Sequence, residues 1–291
     1  MAKRSKFVKP EHRQFLRARV LGSKQVSPSF VRVTIGGDEL REFTPMGFDQ
    51  WFRMFIPAAG ASAARGNASG QTALRLPSAT SNLWYAQLLA MSKSSRPVVR
   101  NYTVRGFRPA EQAVYGEDVP ELDIDFVCHG ADGHGDPGPA STWATSVAPG
   151  DELALLDEGL IYNPTPEARW QLLVGDESAL PAILGIVSSA PADLRAEVFL
   201  EIPHADDAQE VATPDGVNVH WLVRSDPHAR PGALALETVR RAQLPDGPSY
   251  TFAAGESDLA TGVRRHLVND RKVPKSDITF TGYWRHGKAA P

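Results

Sequence analysis

The chain has 291 residues, 42% of them hydrophobic and 22% charged, with a formal net charge of −3. Such a composition fits a globular protein of one large or, better, two smaller domains, and the near-neutral balance excludes a nucleic-acid binder that works by electrostatics alone. One cysteine, Cys128, excludes a disulfide framework within the chain.

The N-terminal run MAKRSKFVKPEHR reads as a solvated basic tail without the apolar core of a secretion signal. No apolar run reaches the ~18 residues of a membrane span, so a cytoplasmic location is expected. Residues 15–35 predict two strands around a Ser27-Pro28 turn, with Val31, Val33 and Ile35 alternating against Arg32 and Thr34. WFRMFIP (51–57) predicts another strand. Residues 58–82 are rich in Ala, Ser and Gly and predict a mobile insert. VVRNYTVRGF (98–107), ELDIDFVCHG (121–130) and the segment after PGD (149–156) predict further strands. Short strands with turn signals suggest a barrel or sandwich over residues 1–160.

Past a Pro-bearing stretch at 158–168 the pattern changes. Strands are predicted at 170–175, 196–203, 217–224, 250–255 and 278–284, with helices at 178–190, 232–243 and 256–270. Alternation of this kind predicts a mainly parallel sheet in an α/β domain over residues 161–291.

Several segments have residue types suited to chemistry. Gly133 to Gly138 fits GxGxxG, but only a short helix can follow before Pro149, so a dinucleotide fingerprint is rejected. The loop's end, Gly138-Pro-Ala140-Ser141-Thr142, still opens a helix whose free N–H groups suit an anion, or simply a helix capped by Ser141. His129, Asp132, His134 and Asp136 match no standard zinc spacing, and no metal is expected there. Asp176, Glu177, Ser178 and Ala179 follow a predicted buried strand, and Gly255 and Glu256 follow another. Both turns sit where ligands bind in α/β sheets. Tyr283 and Trp284 can pack the core or cover a planar ring, and Arg285 can meet an anion.

Together, Arg100-Asn101-Tyr102-Thr103, DFVCHG with GPASTWA and PGD, VGDESALPAI, AAGE and GYWRHG resemble the siderophore-interacting protein family of ferric-siderophore reductases. These are flavoproteins related to ferredoxin–NADP reductase. The resemblance spans nearly the whole chain and implies a six-stranded antiparallel FAD-binding barrel followed by an NAD(P)H-binding α/β domain. It implies that Tyr102 stacks near the flavin, Thr103 hydrogen-bonds its ring and Arg100 neutralises the pyrophosphate. Asn101, Val127, His129, Gly138, Ala140, Ser141 and Thr142 complete the implied FAD contacts.

The implied chemistry is hydride transfer from NAD(P)H to FAD and single-electron transfer to chelated Fe(III). A ferric siderophore is the implied substrate, with Arg53 in the position of a chelate-binding lysine and Arg105 and Arg285 as further candidates. Family members often carry a Gly-Pro-Arg-like segment after the PGD strand. This chain carries Asp157 and Glu158 there, which lowers the expected basicity of the rim. Glu201, at the end of the second α/β strand, favours the ribose 2′-OH of NADH over the 2′-phosphate of NADPH. Two other readings remain open: a general flavin reductase with a ferredoxin or quinone acceptor, and a siderophore carrier without turnover.

Overall fold

The structure, a computed structural model, describes residues 5–57, 74–128, 138–227 and 229–288. Its N-terminal sheet is built from β1 (Phe15–Ser27), β2 (Phe30–Gly36), β3 (Trp51–Ile56), β4 (Val98–Thr103), β5 (Gly106–Arg108), β6 (Glu121–Val127) and β7 (Glu152–Gly159). The order is β4-β3-β7-β1-β2-β6-β5, antiparallel throughout. Period-two alternation sends Val20, Val33, Ile35, Phe52, Met54, Leu122, Ile124, Phe126 and Leu155 into one core.

The sheet curls until Tyr102 of β4 meets Phe126 of β6, ring centroids 4.3 Å apart. Seven strands form it, rather than the expected six. The predicted strand over 98–107 splits because the chain changes partners in its middle. Val104 N–H donates to Gln50 C=O beside β3, and Arg105 N–H donates to Asp123 C=O of β6. The chain thus crosses from one sheet edge to the other. Among the described residues no ladder joins β4 to β5, so the sheet is barrel-like without a hydrogen-bonded closure.

Two helices pack on this sheet. The first, α1 (Leu83–Ala90), lays Trp84 and Leu88 on the outer face against Phe55, Leu74, Ala154 and Leu156. Residues 58–73 of the predicted mobile insert lie outside the described residues. Leu74, near its end, is buried under α1 instead of loose. The second, α2 (Pro139–Ser146), carries Pro at its start, where the missing N–H costs nothing, and buries Ala140, Trp143 and Ala144.

The C-terminal sheet is parallel, in the order β10-β9-β8-β11-β12, from β8 (Trp170–Gly175), β9 (Ala196–Ile202), β10 (Val217–Val223), β11 (Ser249–Glu256) and β12 (Ile278–Trp284). Its central strands are apolar on both faces because both are covered. A 3-10 turn at Glu177–Ala179 leads into α3 (Leu180–Ser188), whose apolar side joins one core with Leu173, Val198 and Phe252. On the opposite face α4 (Ala233–Arg241) and α5 (Ser257–Asn269) join a second core with Leu172, Val174 and Phe199.

The two sheets share a built contact. Phe30 of β2 is fully buried in the core beside α3. Asp207, also fully buried, accepts from Ser27 Oγ (2.6 Å), Ser29 N–H (2.9 Å) and Ser29 Oγ (2.8 Å). Gly185 of α3 abuts Phe48 so closely that a Cβ there would lie 2.1 Å from the Phe48 carbonyl oxygen.

Candidate functional site

On β4 the motif residues alternate. Tyr102 is half-buried against the barrel core, where burial first and Cys128 second raise its pKa above the usual phenol range, opposed by Arg100. Arg100 is also half-buried and donates to the Val99 carbonyl at 2.7 Å. Asn101 is exposed and pairs across the ladder with Arg53. Thr103 is buried opposite Trp51. Trp51 Nε1 is a buried donor with no partner among the described residues. Arg100 and Tyr102 share the inner face of β4, where a cation and a ring suit a flat, anionic cofactor, while Trp51 and Thr103 lie on the other face.

Helix α2 packs on β6, where Trp143 meets Phe126 (5.7 Å between centroids), and Phe126 in turn meets Tyr102 of β4. A Cβ at Gly138 would meet nothing within 4 Å among the described residues. Ser141 is half-buried, and its hydroxyl lies near the Cys128 thiol, whose pKa is pushed up by burial. Ala140 is buried, while Thr142 N–H begins the helix ladder on Gly138 C=O. The N–H groups before Thr142 have no partner in the helix ladder, as at any helix start. Val127 ends β6 half-buried against the C-terminal core. His129, Asp132, His134 and Asp136 lie outside the described residues. Among the described residues no group of three or more His, Cys, Asp or Glu is placed to hold a metal ion.

In the C-terminal half the motif side chains turn inward. Asp176, Glu177, Ala179, Glu201 and Glu256 are all fully buried. Glu177 accepts from both Arg224 Nη atoms, at 2.8 and 2.9 Å. Glu201 accepts from Arg224 (3.0 Å), Gly232 N–H and Ala235 N–H (2.8 Å each). Its carboxylate therefore ties β9 to the start of α4 and is not open to a ribose. The reason is that a free carboxylate cannot stay buried, so the fold gives it an arginine and two amides. Asp176 accepts from Ser178 and from Glu256 N–H, and burial with Glu177 nearby pushes its pKa to about 7. Glu256 caps α5 by accepting from Asp258 N–H at 2.6 Å.

These strand ends carry buried Gly255 and half-buried Ser178, with Tyr283 and Trp284 on the neighbouring strand β12. Tyr283 is 38% exposed, yet burial first, then the charges of Asp49 and Asp176, raise its hydroxyl pKa.

The three candidate arginines do not converge. Arg53 donates to Glu158 at 2.6 Å and stacks between Trp51 and Trp84, 5.3 and 4.9 Å from the ring centroids. Glu158 also accepts from Arg13 (2.5 Å) and Lys9 (3.4 Å). Burial would raise its pKa, but Arg13 and Arg53 hold it below the usual range. Arg105 lies elsewhere, 3.5 Å from Asp125 and donating to Gln209 of the C-terminal half at 3.0 Å. Arg285 is exposed past β12.

Three participants were not singled out as site residues from sequence: Trp84, Arg13 and Asp49. Trp84 with Leu88 has the i, i+4 spacing of a buried helix face, a usable signal. Asp49 has none. It is 1% exposed, accepts from Ile161 and Tyr162 N–H, and burial pushes its pKa to about 7.

Two family models cover most of the chain. The siderophore-interacting FAD-binding domain matches residues 19–160 and the siderophore-interacting protein model matches residues 168–287. The chain belongs to the siderophore-interacting protein family. Within this family it is 31% identical to the ferric vibriobactin reductase of Vibrio cholerae, over 91% of this chain and 87% of that protein. A siderophore utilization protein from T. fusca superposes with a TM-score of 0.74 and 28% identity, covering 97% of each chain. A ferredoxin NADP+ reductase from Neisseria gonorrhoeae with bound FAD and NADP shares the fold, with a TM-score of 0.56 and 12% identity, covering 93% of this chain and 99% of that one. An FAD-binding domain in a family with named reductases makes this siderophore-interacting protein a flavin-dependent oxidoreductase. No helix among its described residues is long and apolar enough to cross a membrane.

Proposed function

We propose that the protein is an FAD-dependent NAD(P)H:ferric-siderophore reductase. The observation that carries this reading is the pairing of β4 with the start of α2: Arg100 and Tyr102 share the inner face of β4, and Tyr102 reaches α2 through Phe126 and Trp143. Tyr102 and Thr103 would hold the ring system, and Arg100 with the amides of Ala140 and Ser141, beside Gly138 and the Thr142 side chain, would hold the pyrophosphate. Asn101, Val127 and His129 would border it. When bound, FAD would accept a hydride from the nicotinamide and pass electrons singly to Fe(III).

The chain's own residues would do the rest. The turns at Asp176–Ala179 and Gly255–Glu256 would form the nucleotide cleft, with Tyr283 and Trp284 covering its wall. Arg53, fixed between two indoles, would meet the chelate, with Arg285 and Arg105 farther out. NADH is favoured over NADPH on grounds other than Glu201. Arg224 and Arg230 are each bound to two carboxylates, while Asp206 and Asp258 are exposed near the strand ends, a poor setting for a 2′-phosphate. The single cysteine suits a reducing, cytoplasmic setting.

An anaerobic absorbance titration tests the reading. Flavin bands should bleach with NADH, less readily with NADPH, and return on adding a ferric siderophore. The Glu158 contact lowers the charge Arg53 offers an anion, which favours a second reading: a flavin reductase with a ferredoxin or quinone acceptor. Bleaching by NADH without recovery on any ferric chelate would select it.

A further inference from the structure

Asp176 has more partners than a helix cap needs. Its Oδ1 accepts from Ser178 N–H (2.9 Å) and Ser178 Oγ (2.5 Å), the usual work of a capping side chain. Its Oδ2 reaches another strand and accepts from Glu256 N–H at 2.6 Å. The carboxylate is fully buried, and no cation pairs with it among the described residues. A cap alone gains nothing from such burial, since an exposed Asn or Ser would serve and a buried carboxylate loses its hydration. The bridge to the second strand is what the burial achieves.

The second strand is shaped to receive it. Gly255 has φ +123°, and a Cβ there would lie 2.6–2.7 Å from the Asp176 carboxyl atoms. Glycine at this position leaves the room that the carboxylate fills. The residue that donates, Glu256, itself caps α5 and receives Arg230 and His286 N–H. One carboxylate therefore joins the turn after β8 to the turn after β11, and through Glu256 to α5.

We propose that Asp176 is a positioning residue for the nicotinamide nucleotide: it clamps the β8 turn to the β11 turn and so sets the cleft between them. This rests on the reading of that cleft as the nucleotide site. Asp176 touches no reacting atom; it acts through the backbone of Ser178 and Glu256. Glu177, which neighbours it, is held away on Arg224, so the clamp does not compete with the ion pair behind it.

The test uses the full-length FAD-loaded protein and splits the reaction into halves. Anaerobic flavin reduction is followed against NADH concentration, and reoxidation of dithionite-reduced protein is followed with ferric EDTA. Asp176→Ala should raise the NADH concentration for half-maximal reduction about tenfold, the scale of one or two lost hydrogen bonds. Reoxidation by the chelate should stay within about twofold, because the clamp lies on the nucleotide side only.

Gly255→Ala should weaken NADH similarly, because a Cβ at φ +123° is strained and would lie against the Asp176 carboxylate. Asp176→Asn, which keeps an oxygen for Ser178 and sets an amide donor against Glu256 N–H, covers the case in which Asp176→Ala fails to fold. It should weaken NADH severalfold with reoxidation by the chelate unchanged. Unchanged NADH dependence in Asp176→Ala, or in Asp176→Asn if the former is unfolded, overturns the proposal. Wild-type protein that neither NADH nor NADPH reduces overturns the reductase reading and the clamp together; loss confined to the variants' expected pattern concerns the clamp alone.

Discussion

The two halves present their motif residues in opposite ways. On the curled N-terminal sheet Arg100, Tyr102 and Arg53 stay half-buried, and Trp51 N–H has no partner among the described residues. On the parallel C-terminal sheet Asp176, Glu177, Glu201 and Glu256 are fully buried and satisfied by Arg224, Arg230 and backbone amides. One half leaves its motif side chains partly exposed; the other uses them to hold the turns at its strand ends. The lesson is that a motif carboxylate at a strand end can fix a turn rather than stay open to solvent.

That contrast sets the order of the expected effects. Arg224→Ala should be the most damaging, because it strands Glu177 and Glu201 as buried charges. A loss of about 3–5 kcal/mol in urea unfolding is expected, and a loss near zero would mean the network is not the closed unit described. Arg100→Ala should leave stability nearly unchanged yet weaken FAD about 10- to 100-fold, the scale of a charge-assisted contact to phosphate. Flavin fluorescence on dilution measures it; a large drop in melting temperature with unaltered FAD affinity would reverse the contrast.

Asp49 lies at the boundary of the two halves and sharpens the comparison through pH. Its folded pKa is raised to about 7 from 3.8, so between those values the folded state holds a proton that the unfolded state has released. Stability from this group is full below the unfolded pKa and is lost as pH rises through the folded one. Asp49→Asn does not titrate, and its melting temperature should fall less than the wild type's from pH 4 to 8, by a few degrees. Parallel curves would show that Asp49 stays ionised throughout.

Arg53→Ala should have the smallest effect. Its guanidinium shares Glu158 with Arg13 and Lys9, so the KM for an anionic ferric chelate should rise only about three- to tenfold, with NADH dependence unaltered. A loss of NADH affinity instead would move Arg53 to the nucleotide side.

Much of the fold is legible in the chain's own pattern. Val31, Val33 and Ile35 alternate, as do Leu122, Ile124 and Phe126, and each set marks one strand's inner face. The apolar 170–175 run marks a strand covered on both sides. The helix at Leu83–Ala90 follows a segment whose composition suggested a loose insert, which obscured the Trp84–Leu88 spacing. Of the candidate site, Arg100, Tyr102 and the Gly138 turn are readable because their types suit an anion and a ring in any fold.

Pattern and composition by themselves determine which residues face a core, where strands end and which turns suit a nucleotide, because these depend on neighbours along the chain. Only the tertiary structure decides that Glu201 is closed by Arg224 and Gly232, that Glu158 gathers Lys9, Arg13 and Arg53, and that Asp176 reaches Glu256. Those partners lie 23 to 149 residues away, and the ionic state of a buried carboxylate depends on which distant donors the fold brings to it.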